Sequence, residues 1–87
     1  MDKTVSDIFM VLGTRTPDIV DLRDLEAPEP LEKVLLACSQ LAAGEFFLVR
    51  LPRIPTMLFP HLETRRLSWW VHEEEDQSAL LLIRSEA

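Results

Sequence analysis

The run Asp21-Leu22-Arg23-Asp24-Leu25-Glu26-Ala27-Pro28-Glu29-Pro30-Leu31 constrains the fold more than any other part of the chain. It reads as the end of a strand running into a helix whose start is set by proline. The first helical turn has no intrahelical use for its amides, so Pro28 or Pro30 costs nothing there and its fixed φ is already helical. Glu29 in the same turn suits the positive end of the helix dipole. Upstream, residues 18–23 read as a strand with Val20 and Leu22 on one face and Ile19 on the other. Downstream, Leu31, Val34, Leu35, Cys38, Leu41 and Ala42 fall on one stripe, with Glu32, Lys33, Ser39 and Gln40 outside it. That spacing predicts a helix, which Gly44 is expected to end.

The remaining elements follow from the same signals. Residues 45–51 predict a strand with large apolar residues on both faces, closed by Pro52. A second helix is expected over residues 57–65, and Pro60 requires its regular hydrogen bonding to begin late. Residues 67–73 and 78–84 predict a terminal hairpin joined through Glu74, Glu75 and Asp76. The order is strand, helix, strand, helix, strand, strand. Ahead of it, residues 1–17 form an N-terminal extension in which Val5, Ile8, Phe9 and Leu12 recur at helical spacing, with Thr4 or Ser6 as caps and Gly13 as a stop.

The segment Leu25-Glu26-Ala27-Pro28-Glu29-Pro30 resembles the Leu-x-Cys-Pro-x-Pro motif of the TusA/SirA-like sulfur-carrier family, over roughly residues 18 to 84. Ala27 stands where that family carries its cysteine. A sister family of uncharacterised domains (domain of unknown function 2249) keeps Asp-Leu-Arg and Pro-Glu-Pro without the cysteine, and this chain is similar to it. The resemblance implies an α+β fold, a two-layer α/β sandwich. Its order is β-α-β-α-β-β, with two helices on one face of a four-stranded mixed sheet, and it occupies residues 18–87. It also places the motif loop and helix start on Asp21, Arg23, Ala27, Pro28, Glu29 and Pro30. A persulfide carrier needs an exposed thiol of lowered pKa at a helix start. Alanine has no nucleophile, no ionisable group and no metal affinity, so no catalytic residue is expected in this frame.

A sandwich of this kind covers one face of its sheet, yet alternation loads both. Val20, Leu22, Phe47, Val49, Trp69 and Leu81 fall on one face; Ile19, Phe46, Leu48, Trp70, Leu80 and Leu82 fall on the other. An apolar patch of that size marks an interaction surface. The face bearing Phe46, Leu48, Trp70, Leu80 and Leu82 is therefore expected to be covered, either by the N-terminal stripe or by a second copy of the chain.

At 87 residues the chain suffices for one small domain, and its 47% hydrophobic content is ample for a core. A net charge of -6 opposes nonspecific nucleic-acid binding, which depends on cationic side chains. One cysteine fits a reducing compartment, and the apolar run at residues 8–12 is too short for a membrane span, so a cytoplasmic protein is expected. Cys38 lies within a helix stripe and reads as a buried structural residue. His61 and His72 share no ligand spacing, so neither metal nor cofactor is expected. The run Glu73-Glu74-Glu75-Asp76 reads as a solvated turn, and Asp21 with Arg23 as an ion pair fixing the loop. Together these features favour a noncatalytic protein-binding or assembly module with a protein partner. The alternative is a sulfur-transfer or redox- or metal-linked accessory protein.

Overall fold

The computed structural model describes residues 8, 10–13 and 18–86. Strand β1 spans Ile19–Asp21, helix α1 Glu29–Ser39, strand β2 Phe46–Leu51, helix α2 Phe59–Thr64, strand β3 Leu67–Glu73 and strand β4 Ala79–Ser85. The four strands form one mixed sheet in the order β1-β2-β4-β3. β1 pairs parallel to β2, while β4 runs antiparallel to both β2 and β3. The C-terminal ends of β1, β2 and β3 therefore share one end of the sheet, and α1 and α2 both start from that end. This is the two-layer α/β arrangement expected for the chain.

Both helices lie on one face. Val34 and Cys38 of α1 and Leu62 of α2 form a core with Leu22, Val49, Leu51, Leu67, Leu81 and Ile83, and Leu58 joins it just before α2. Phe59 stacks on Trp69 with ring centroids 5.6 Å apart. The face assignment from alternation holds in register: Val49 opposite Leu81 and Trp69 opposite Ile83 lie in the helix-side core. Leu48 opposite Leu82, and Leu82 opposite Trp70, lie on the other side. There, helical residues 8 and 10–12 cover the sheet, with Ile8 2% and Leu12 8% exposed against Leu48 and Leu82. Val11 is part of the same contact. Thr4, Val5, Ser6 and Phe9 lie outside the described residues.

Several boundaries differ from the sequence expectation. β1 ends at Asp21 rather than at residue 23, because Arg23 turns back to bond its own neighbour Asp21. α1 stops at Ser39, where the Gln40 and Leu41 amides bond the Ala37 and Cys38 carbonyls in a tightened last turn. Gly44 does not cap that helix. It sits in the following turn at φ 83, and its amide bonds the Ser85 carbonyl at 2.8 Å, tying the entry of β2 to the end of β4. α2 is shorter than expected, starting at Phe59 after a turn in which the Leu58 amide bonds the Pro55 carbonyl. Pro60 lies within its first turn, as its missing amide requires.

Candidate functional site

The proline loop hangs from the sheet by short backbone contacts. The Leu22 amide donates to the Arg50 carbonyl at 2.8 Å, and the Leu25 amide donates to the Leu22 carbonyl at 3.2 Å. Leu22 is buried and Leu25 packs beside it, so the loop is fixed at two apolar points. Asp21 closes the turn: its carboxylate accepts from Arg23 Nε at 2.9 Å, Nη2 at 2.7 Å and the Arg23 amide at 3.1 Å. These bonds hold the Asp21 carboxyl down at about 2, and the same pairing raises the Arg23 guanidinium. The ion pair anticipated from the sequence is therefore present.

The loop enters α1 through Pro28. The Glu29 amide bonds the Glu26 carbonyl at 3.0 Å and the Glu32 amide bonds the Pro28 carbonyl at 3.1 Å, so the first turn is built on proline and backbone without a side-chain cap. The Ala27–Pro28 peptide is cis. Pro30 is buried beneath the helix start, whereas Ala27, Pro28 and Glu29 are exposed. Asp24, Glu26 and Glu32 are exposed too, which gives this end an acidic surface.

The structure adds groups that the motif does not contain. Arg23 Nη1 reaches Asp76 Oδ2 at 3.6 Å, linking the proline loop to the β3–β4 turn. Within that turn Asp76 accepts from the Ser78 hydroxyl and from its amide, and these bonds lower the Asp76 pKa. Arg50 at the end of β2 grips Glu74 with Nε at 2.6 Å and Nη2 at 3.2 Å. Arg23, Arg50, His72, Glu74, Glu75 and Asp76 line a groove of about 410 Å³. In the run 73–76, expected to be a solvated turn, Glu73, Glu75 and Asp76 are exposed, and two arginines engage it at Glu74 and Asp76.

Alternation could have signalled this groove. Asp21 lies opposite Arg50, and both Arg50 and His72 lie opposite Leu80, so all are on the face that also bears Leu48 and Trp70. The ion pairs themselves join residues distant in sequence and leave no local signature.

Cys38 is 6% exposed, and burial pushes its thiol up to about 11. The expected interaction face is occupied at its centre: Leu48 and Leu82 are buried, and Phe46, Trp70 and Leu80 are partly buried around the N-terminal segment. Among the described residues no group of three or more His, Cys, Asp and Glu is disposed to hold a metal ion. No helix among them is long and apolar enough to cross a membrane.

Fold and loop together define a small two-layer α/β domain whose proline-set helix start exposes the methyl group of Ala27. The family described as "Uncharacterized conserved protein (DUF2249)" matches residues 19–85, and the chain belongs to it. No curated protein matches the chain.

Proposed function

We propose that the chain is a noncatalytic protein-binding or assembly module, built on the frame of a TusA/SirA-like sulfur carrier and docking through its proline loop. The observation that carries this reading is the state of the two positions where a thiol could act. Position 27, exposed at the helix entry, is alanine. Cys38 is buried with its thiol at about 11, so almost none is thiolate at neutral pH. The loop around that alanine is nonetheless held in place, from the Asp21–Arg23 pair to the buried Pro30. The exposed carboxylates of Asp24, Glu26 and Glu29 favour a partner with a basic surface.

A photo-crosslinking residue placed at Ala27, and separately at Leu36 on the exposed side of α1, tests the reading in cells. The expected result is one discrete adduct from position 27, absent from position 36 and lost when Glu26 and Glu29 are changed to lysine. A near-stoichiometric persulfide on Cys38, formed when the native protein meets a cysteine desulfurase and free cysteine, would overturn it in favour of sulfur transfer.

A further inference from the structure

The second face of the sheet has a floor and a rim. In register across the strands, Ile19, Leu48, Leu82 and Trp70 form an apolar row. On one side the next row carries Arg50, held by Glu74; on the other it carries Arg84, held by Glu86 at 2.7 Å and placed over the Phe46 and Trp70 rings at about 6 Å. An apolar centre inside a charged border is the anatomy of a docking surface. What occupies it is a helical stripe: Ile8, Val11 and Leu12 are spaced i, i+3, i+4 and rest on the floor, while Met10 is 79% exposed. That is how an amphipathic helix sits in a groove.

The family match separates the floor from its cover. The region shared with the family, residues 19–85, contains the whole floor and none of the cover. The cover joins β1 only through residues 13–18, where Gly13 adopts φ 61 and Pro17 follows in the sequence. We infer that this face is a helix-docking groove whose partner is the N-terminal segment of a second copy of this chain, exchanged for the chain's own. A second copy brings the stripe already seen to fit, so exchange remakes the same contacts, and exchanging an identical element is a low-cost route to a dimer. A short tether holds the chain's own segment at an effective concentration in the millimolar range, so the closed monomer dominates in dilute solution. This surface is separate from the proline loop, and the inference does not depend on the proposed function.

Two full-length variants test it. Ile8→Ser with Leu12→Ser disables the segment and leaves the groove, whereas Leu80→Asp blocks the groove and leaves the segment. Sedimentation velocity should find each variant monomeric alone and a one-to-one heterodimer on mixing. Neither chain of that pair holds its own segment in place, so the heterodimer should form at least about tenfold below the concentration at which wild type self-associates. A mixture of folded variants that stays monomeric up to about millimolar concentration overturns the inference. If either variant loses the near-ultraviolet signal of the stacked Trp69, the wild-type chain decides through a labelled synthetic peptide of residues 1–13. Saturable capture, competed by unlabelled peptide and abolished by the two serines, supports the exchange. A wild-type chain that captures no peptide and does not self-associate at about millimolar concentration overturns it.

Discussion

Asp21 and Arg23 illustrate how a two-residue contact sets local chemistry. The Asp21 carboxyl lies at about 2, chiefly because the Arg23 side chain bonds its charged form. An unfolded aspartate titrates near ~3.9. Because the folded value is depressed, the pair's contribution is fully present above the unfolded value, declines as pH falls through this window and is gone below about 2. The pair is solvent-exposed, so salt weakens it. Carboxyl-carbon NMR titration should give a midpoint near 2 for Asp21, moving up toward the ordinary range in Arg23→Gln. An unchanged midpoint would remove the guanidinium as the cause. Ala27 supports a second expectation: Ala27→Cys should react with iodoacetamide at pH 7.5 at least ~100-fold faster than Cys38, since an exposed thiol near the free value of ~8.5 carries far more thiolate than a buried one. Comparable rates, read by mass spectrometry of the two peptides, would mean that Ala27 is not exposed at the helix entry.

At the scale of elements, burial separates side chains that look alike in the sequence. Leu62 of α2 is fully buried beneath the sheet, so Leu62→Ala should cost about 2–5 kcal/mol in urea unfolding. Leu36 on the outer side of α1 is 63% exposed, and Leu36→Ala should stay within about 0.5 kcal/mol of wild type. The stripe Leu31, Val34, Leu35 and Cys38 made α1 legible in the sequence, and alternation gave the two faces of β2, β3 and β4. The proline-set entry was legible because proline has few places to go. The role of Gly44 was not, because its amide is taken by Ser85 from the far end of the chain. Nor were the bonds of Arg50 to Glu74 and Arg23 to Asp76, which exist only once β2, β3 and the proline loop converge on one end of the sheet. Periodicity reports which face a residue occupies; it says nothing of which distant charge will meet it there.

Across the whole molecule, an 87-residue chain has little stability to spare. Burying Ile8 and Leu12 contributes about 3–6 kcal/mol as an upper estimate, against ~5–15 kcal/mol for a typical domain. Removing residues 1–13 should therefore lower the melting temperature measured by circular dichroism. A truncated chain that stays monomeric with an unchanged melting temperature would show that the cover adds nothing. The sheet is also unevenly secured. The β3–β4 hairpin is paired from Leu67 opposite Ser85 to Glu73 opposite Ala79, whereas β1 has three exposed residues held along a single side. Strands held so lightly open first, by local excursions that leave the rest intact. Native-state hydrogen exchange should accordingly find the amides of β1 and Leu22 exchanging ahead of the hairpin, and the proline loop swinging out with them. A partner gripping that loop would hold the strand shut from outside, leaving its footprint as slowed exchange at a place it never touches.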